Sequence, residues 1–319
     1  MGAAKPKRPS VPGGSFGSIT SGDAVTVGPS DGPPAVMSID VEDWFHAENL
    51  KPVIPRESWR GQRLRVERNT DRMLELMASF DGGIRSTCFV LGWLADRCPD
   101  LVRRISAAGH EIASHGYGHD LLDSLSPEAF RADVERSKGT LEDLTGTTIR
   151  GYRAPSFSIK EWALPILQEL GFYYDSSVFP SVGHDRYGKL AGMTPSESVV
   201  EVLPGFFEVG ISCVTIASRG VPWGGGGYFR LLPYWVFRRG ARQILHSGRP
   251  YVFYIHPWEI DPDQPRVSGL PRSYRFRHYV GLERCEARFT SLLGDFAWTT
   301  IADLLSGLTG GTRAAAGGS

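Results

Sequence analysis

Length, composition and charge exclude several classes of protein. The chain has 319 residues, 41% hydrophobic and 22% charged, an ordinary balance for a globular protein that can bury a sizeable core. Its 35 basic and 35 acidic side chains give a formal net charge of zero, so bulk electrostatics indicates neither nucleic acid nor a membrane surface as a partner.

The ends of the chain and its cysteines bear on the compartment. Residues 1–34 are rich in Gly, Ser and Pro and lack an apolar signal-peptide core, so we expect a disordered N-terminal tail, and residues 309–319 predict a second one. No run of about 18 apolar residues predicts a membrane span. The four cysteines lack CxxC spacing, which argues against a zinc knuckle or disulfide framework. These features favour the cytoplasm, with periplasmic export left open.

Beyond residue 34 the chain alternates between predicted strands and helices. Strands are expected at 35–39, 86–91, 111–114, 150–153, 172–174, 251–255 and 298–301, and helices at about 70–80, 99–108, 127–145, 158–170 and 279–294. This alternation predicts parallel strands joined by crossover helices. Polar residues follow several of the strands, as active-site residues do in an α/β barrel, which favours a barrel over an open sheet. They are Asp40, His115, Arg153, Asp175 and His256.

The first stretch with chemical character is the acidic cluster Asp40-Val41-Glu42-Asp43. Asp40 and Glu42 would face the same side of a strand, whereas Asp43 would join them only if the chain turns. One carboxylate could bind a metal ion while another acts as a general base. A solvated acidic turn is the competing interpretation.

Three histidines form the second pattern. His115 and His119 stand four residues apart after a strand, close enough to hold one metal ion, and a carboxylate would complete the three protein ligands of a catalytic zinc. Two unrelated loop histidines are the alternative. His256 follows the apolar strand 251–255, where it could be a general acid or a core histidine bonded to backbone.

A glycine run, Gly224 to Gly227, is flanked by aromatic residues. It is not a phosphate loop, because no GK[ST] follows. We interpret it as a flexible loop near the substrate or as a simple turn.

In this order the motifs resemble the polysaccharide deacetylase (NodB homology) family, carbohydrate esterase family 4, over about residues 35–308. Several longer segments, DVEDW, RAPSFS, GGGYFR and HPWEIDP, resemble the subfamily of exopolysaccharide (PEP-CTERM/exosortase) gene clusters. The four family motifs match Ser38–Asp43, Ser114–His119, Arg153–Pro155 and Ile255–Pro257.

The resemblance implies an α/β fold, a distorted seven-stranded (β/α) barrel over residues 35–260, with residues 261–308 completing the same domain as a C-terminal extension packed on it. It also implies a hydrolase of carbon–nitrogen bonds that removes N-acetyl groups from a polysaccharide. The expected cofactor is a divalent metal, Zn²⁺ first, and the expected setting is exopolysaccharide biosynthesis, with polysaccharide assembly machinery as a candidate partner.

The resemblance assigns the family's catalytic and metal-binding roles to the matching positions of this chain. Asp40 would be the base, Arg153 its orienting partner, and His256 the acid. His115 and His119 would bind the metal. Because Val41 and Glu42 separate aspartates that are adjacent in the common motif, the third ligand is open between Asp43, which we favour, and Glu42.

The resemblance also suggests substrate contacts. A backbone amide near Ser156 would help to hold the oxyanion. Ser156-Phe157 replaces the common Tyr-Gly, which predicts a different sugar-facing wall, and Asp175 would line the site or partner His256. The substrate-binding residues we expect are Trp44, Ser156, Phe157, Asp175, Trp223 and Trp258. Two other functions stay open: an amidohydrolase of the same fold acting on a small cyclic amide or imide, and an inactive sugar-binding module.

Overall fold

Seven neighbouring parallel strands form the centre of the fold. The structure is a computed structural model, and it describes residues 33–179, 197–216 and 219–315. Residues from Asp31 onward form one compact unit. The N-terminal tail expected from the sequence lies, up to residue 32, outside the described residues.

The main sheet has the strand order β10-β1-β2-β3-β4-β5-β7-β6, in which every pair is parallel except β6 with β7. β11 adds to β1, and β8 and β9 form a separate antiparallel pair. The strands are β1 (Ala35–Val41), β2 (Thr87–Val90), β3 (Glu111–Ser114), β4 (Gly151–Tyr152), β5 (Tyr174–Asp175), β6 (Val199–Leu203), β7 (Phe206–Val209), β8 (Cys213–Ile216), β9 (Arg219–Pro222), β10 (Tyr251–Ile255) and β11 (Trp298–Thr299).

The helices connect these strands. One shows how the sequence sets its ends: Ser126 accepts a hydrogen bond from the Ala129 N–H at the start of α4, and Gly146 stops it with a φ of 65°, as predicted. The helices are α1 (Val66–Ala78), α2 (Gly92–Arg97), α3 (Pro99–Ala107), α4 (Pro127–Thr145), α5 (Ala163–Glu169), α6 (Gly226–Leu231), α7 (Tyr234–His246), α8 (Arg272–Tyr279), α9 (Cys285–Asp295) and α10 (Ile301–Ala315).

Several helix boundaries differ from the expectation. α1 begins at Val66 rather than near residue 70, and α9 begins at Cys285 rather than near residue 279. α5 begins at Ala163 rather than after Ser158, because the Ser158 hydroxyl accepts from the Leu122 N–H and donates to the Pro155 carbonyl instead of capping a helix. α10 continues to Ala315, into residues where the sequence predicted a disordered tail. Within the described part of the chain, no helix is both long and apolar enough to cross a membrane.

Both faces of the central sheet are covered. All residues of β1, β2 and β10 are buried, as expected for parallel strands with helices or loops on each side. The curled, mostly parallel sheet confirms the predicted α/β fold class. Its parallel strands bring their carboxyl ends to one edge, where the residues after β1, β3, β4 and β10 meet.

The glycine run lies against β10. The Tyr254 N–H donates to the Gly224 carbonyl oxygen at 2.7 Å. At Gly225, whose φ is 139°, an added Cβ would come within 2.0 Å of the Tyr254 carbonyl oxygen. Only glycine allows this approach, so the run is a close backbone contact between the sheet and α6.

Candidate active site

A buried cluster of one carboxylate and two imidazoles lies at the carboxyl edge of the sheet. Glu42 follows β1, His115 follows β3, and His119 lies in the loop beyond. Glu42 Oε1 is 2.8 Å from His115 Nε2 and 2.9 Å from His119 Nε2. The ligand atoms of the three residues all lie within 4.8 Å of one another. Two histidine nitrogens and one carboxylate are a donor set that catalytic zinc takes in proteins, so these residues fit a divalent metal.

Hydrogen bonds outside the cluster orient both histidines. His115 Nδ1 lies 2.8 Å from the Arg153 carbonyl oxygen, which can only accept, so Nδ1 carries a proton and Nε2 is directed toward the cluster. The loop before His119 is held by Asp133, which accepts from the N–H groups of Tyr117 and Gly118 at 2.7 and 2.9 Å.

Two features of the cluster suit a metal ligand set. His119 has a φ of 57°, an uncommon left-handed conformation that the surrounding loop must enforce. Burial alone would raise the pKa of Glu42, but the positive charge of His119 and hydrogen bonds from both histidines outweigh burial and hold that pKa well below its usual range. Glu42 is therefore an ionised carboxylate.

The expectation that Asp43 would be the third ligand is wrong for this structure. The chain turns sharply after Glu42, and Asp43 becomes the N-cap of a short 3₁₀ turn. Its Oδ1 accepts from the Trp44 N–H at 2.8 Å, and its Oδ2 accepts from the N–H groups of Arg65 and Val66 at 2.7 and 3.0 Å. Both oxygens are thus committed to backbone donors, and Glu42, the alternative ligand, lies beside the histidines.

Asp40 is held by a buried guanidinium. Arg153 Nη1 donates to Asp40 Oδ1 at 2.6 Å and to Ser38 Oγ at 2.9 Å, while its Nε donates to the Ser176 carbonyl at 2.8 Å. The other carboxylate oxygen, Oδ2, lies 3.8 Å from His256 Nε2. Arg153 therefore orients Asp40 with one oxygen fixed and the other turned toward His256.

His256 has a carboxylate partner that the sequence analysis missed. Its Nδ1 lies 2.7 Å from Glu259 Oε1, and Glu259 Oε2 accepts from Arg230 Nε at 2.6 Å. Burial lowers the pKa of His256, but the Glu259 hydrogen bond and the charges of Glu42, Glu259 and Asp40 outweigh burial and raise it to about 9. At neutral pH the imidazole carries a proton that it can donate.

Asp175 is neither the partner of His256 nor part of the cavity wall, contrary to expectation. It is fully buried and faces Glu208 across the β5–β7 pair. Ser177 donates its hydroxyl to Asp175 Oδ1 at 2.6 Å, and Glu208 Oε1 accepts from the N–H groups of Ser177 and Val178. Burial raises the pKa of both carboxyls, and the charge of Asp175 raises that of Glu208 further. These shifts favour the protonated, neutral form of Glu208 beside Asp175.

This pair predicts that Glu208→Gln stabilises the protein at neutral pH. A raised pKa means that the folded state binds the proton more tightly than the unfolded state. Its contribution is fully present below the ordinary carboxyl pKa of about 4.3 and is lost as the pH rises toward the raised value. Glutamine keeps the protonated shape, so we expect a gain on the order of 1 kcal/mol at pH 7 that shrinks by pH 4. Urea unfolding at pH 7 and at pH 4 measures this gain, and an equal loss of stability at both pH values would contradict a protonated Glu208.

The catalytic candidates line a cavity of about 750 Å³. Asp40, Glu42, His115, His119 and His256 all contribute to its wall. Six residues were expected to contact the substrate. Three of them line the cavity, and the other three, Asp175, Trp44 and Trp223, do not. The three on the wall are Ser156, Phe157 and Trp258, and the sequence analysis missed Tyr228, Phe276 and Arg277.

Trp44 and Trp223 were expected to contact sugar but are core residues. Trp44 is 3% exposed and packs edge-on against Phe45. Trp223 stacks on Phe237 and donates its indole N–H to the Phe237 carbonyl at 2.7 Å. Neither residue belongs to the cavity wall.

Two consecutive residues on the wall have left-handed backbone. Ser156 and Phe157 have φ angles of 50° and 59°, uncommon for residues that carry a side chain. The Phe157 N–H is bonded to the Ala154 carbonyl at 2.9 Å. Phe157 stands where the common form of the motif that this chain resembles has glycine, so this chain places an aromatic ring on the cavity wall at that position.

Comparison with known proteins shows which families this chain resembles. Residues 61–174 match the family model "Polysaccharide deacetylase", and residues 176–306 match "Domain of unknown function (DUF3473)". The chain is 31% identical over 114 residues to the peptidoglycan deacetylase-like protein FGM2 of Gibberella zeae, which covers 36% of this chain and 33% of that protein. It is 30% identical over 89 residues to the peptidoglycan-N-acetylglucosamine deacetylase of Bacillus cereus, which covers 28% and 32%. The chain thus spans about a third of the length of these curated relatives.

Solved structures show the same fold. A predicted polysaccharide deacetylase from Mycobacterium smegmatis superimposes with a TM-score of 0.52 at 22% identity, covering 84% of this chain and 93% of that one. Puue allantoinase gives a TM-score of 0.54 at 16% identity, covering 86% and 90%. The family model and the curated relatives together identify residues 61–174 as the part of this chain that matches the polysaccharide deacetylase (NodB homology, carbohydrate esterase family 4) domain.

Proposed function

We propose that this protein is a metal-dependent deacetylase that hydrolyses N-acetyl groups of amino sugars in a polysaccharide. The observation that carries the proposal is the cluster of Glu42, His115 and His119 beside Asp40 and His256 on one cavity wall. Relatives named as peptidoglycan-N-acetylglucosamine deacetylase and chitooligosaccharide deacetylase support the substrate class.

The metal site would be formed by Glu42, His115 and His119. A divalent ion there, with Zn²⁺ as the first candidate, would polarise the acetamide carbonyl and stabilise negative charge on its oxygen. Ser156 lines the same cavity, and we assign its backbone amide as a second donor to that oxygen.

Asp40 and His256 would move the protons. Asp40 accepts a proton from the attacking water, and Arg153 fixes the carboxylate so that Oδ2 faces the reaction. As the carbon–nitrogen bond breaks, His256 donates its proton to the leaving nitrogen. The products are acetate and a free amino sugar.

The cavity favours a sugar polymer over a small molecule. Phe157, Trp258, Tyr228 and Phe276 supply aromatic side chains along its wall, and Phe276 is 56% exposed. Aromatic faces stack on sugar rings, and an exposed aromatic residue at the surface allows a chain to extend beyond the cavity. The resemblance to the PEP-CTERM/exosortase subfamily supports a role in exopolysaccharide biosynthesis, together with polysaccharide assembly machinery.

Acetate release from an N-acetylated chitooligosaccharide tests this proposal. With a divalent metal, wild-type protein should release acetate, and chelation should lower the rate by roughly 10²-fold or more until Zn²⁺ is restored. His115→Ala should be inactive, whereas His246→Ala, at an exposed position on α7, should not differ from wild type.

Two results would contradict the proposal. Ring opening of a cyclic amide without acetate release would identify the alternative amidohydrolase. Glycan binding by metal-loaded protein without turnover would identify a sugar-binding module, the reading that the intact acid, base and ligand set argues against.

A further inference from the structure

The segment that matches a domain of unknown function builds the acid side of the site. His256, Glu259 and Arg230 all lie within residues 176–306. We propose that Glu259 and Arg230 are positioning residues that hold the His256 ring in the orientation in which it donates its proton to the leaving nitrogen. This inference rests on the proposed deacetylase function, and it assigns a role to a segment whose family model carries none.

The first link is between Glu259 and His256. β10 ends at Ile255, and His256 is the N-cap of the 3₁₀ turn Pro257–Ile260. Glu259 Oε1 lies 3.2 Å from the His256 backbone nitrogen and 2.7 Å from its Nδ1. Because one carboxylate oxygen binds both the backbone and the ring, it fixes the ring against the main chain. The proton on Nδ1 is then committed to Glu259, and Nε2 points toward Asp40.

The second link prevents Glu259 from turning away. Arg230 on α6 donates its Nε to Glu259 Oε2 at 2.6 Å. The remaining nitrogens donate to backbone carbonyls at and beyond the end of α8: Nη1 to His278 and Val280, at 2.9 and 2.7 Å, and Nη2 to Arg277 at 3.0 Å. Four hydrogen bonds therefore fix the guanidinium, and its charge lies at the negative end of the α8 dipole.

Burial removes competition from water. Glu259 is 0% and Arg230 is 4% exposed. Such a pair is weak evidence for stability, because desolvation of two charges offsets their attraction. This pair differs from a structural ion pair in that its carboxylate contacts the candidate acid directly.

The other groups around His256 leave its Nε2 facing the cavity. Trp258 stacks on its ring with centroids 5.1 Å apart, and His278 stacks on the far side of Trp258. Burial and the charge of Arg230 lower the pKa of His278 to about 3, so this ring is neutral. On the cavity side, Asp40 Oδ2 lies 3.8 Å from His256 Nε2. The other charged residues of the cavity wall are Glu42, Glu48, Arg230, Glu259 and Arg277.

A positioning role predicts a loss that depends on the leaving group. An amide expels an amine, which needs a proton, whereas an aryl acetate expels a phenolate, which does not. Glu259→Gln should therefore lower kcat/KM for an N-acetylated chitooligosaccharide by roughly 10²-fold and for 4-nitrophenyl acetate by less than about threefold. Arg230→Lys, which keeps the charge but loses the fork geometry, should show the same selectivity with a smaller loss.

A double-mutant cycle of His256 and Glu259, measured with the oligosaccharide as the only substrate, gives a second readout. In the His256→Ala background, Glu259→Gln should cause no further loss, because the ring that it positions is gone. Glu111→Gln is the matched control: Glu111 is a partly buried carboxylate at the opposite end of β3 that accepts hydrogen bonds from Thr87 and Tyr174. Its substitution should change stability and affect both substrates equally.

The outcomes separate this inference from the proposed function. Equal losses on both substrates, or a Glu259→Gln effect that adds fully to that of His256→Ala, would show a structural ion pair and overturn the inference. Near-normal activity of Glu259→Gln beside an impaired His256→Ala would overturn it as well. Wild-type protein that releases no acetate would instead contradict the proposed function.

Discussion

Glu42→Ala is expected to abolish metal binding and to lower acetate release by roughly 10³-fold, which corresponds to about 4 kcal/mol of transition-state stabilisation. Glu42 is the only carboxylate residue in the described ligand cluster, so the variant leaves the two imidazoles alone to hold the ion. Metal content per chain after dialysis, measured together with the rate of acetate release, checks this result.

Asp43→Asn is the matched control because it changes the neighbouring carboxylate. Asp43 accepts hydrogen bonds from three backbone N–H groups, so its amide variant should bind metal normally but lose about 1–3 kcal/mol of stability. If Asp43→Asn lost the metal while Glu42→Ala kept it, Asp43 would be the ligand and the assignment of Glu42 would fail.

Asp40→Asn should remove the general base without removing the metal. We expect kcat to fall by roughly 10²- to 10⁴-fold at unchanged metal content, because an amide cannot accept the proton of the attacking water. Arg153 then lies fully buried without its carboxylate partner, so the variant should also lose about 3 kcal/mol of stability or more.

Asp123→Asn is the control variant for Asp40→Asn. Asp123→Asn removes an exposed carboxylate that pairs with Lys160 on the surface, and it should leave kcat unchanged. Near-normal turnover by folded, metal-loaded Asp40→Asn would show that another group takes the proton.

Sequence reasoning located the site because parallel strands end at one edge of a sheet. Asp40, His115, Arg153 and His256 each follow or end a predicted strand, and the structure brings all four together. Their positions at strand ends were enough to predict this meeting, without any information on side-chain packing.

The third metal ligand could not be predicted from strand periodicity, because its identity depends on a local turn. A turn after Glu42 sends Asp43 to three backbone donors, one of them its neighbour and two of them more than 20 residues away at the start of α1. Asp175 was likewise misassigned because its partner, Glu208, lies on another strand. Trp44 and Trp223 could not be separated from groove aromatics, since core and sugar-binding indoles have the same local sequence signal.

The contact between Glu259 and His256 could have been predicted from the local sequence. The spacing His-Pro-Trp-Glu places proline at the first helical position and glutamate at the third, as in a capping box. That pattern predicts a carboxylate returning to the His256 backbone. Arg230 has no comparable signal, because its contact with Glu259 depends on how α6 packs against the turn after β10.

Titration of metal-free protein with Zn²⁺, with acetate release from an N-acetylated chitooligosaccharide measured at each step, tests the central claim most directly. A single site built by Glu42, His115 and His119 predicts activity that rises linearly and levels off at one equivalent per chain, and no activity at any point for Glu42→Ala. Full activity before any metal is added, or a Glu42→Ala titration that matches wild type, would contradict it.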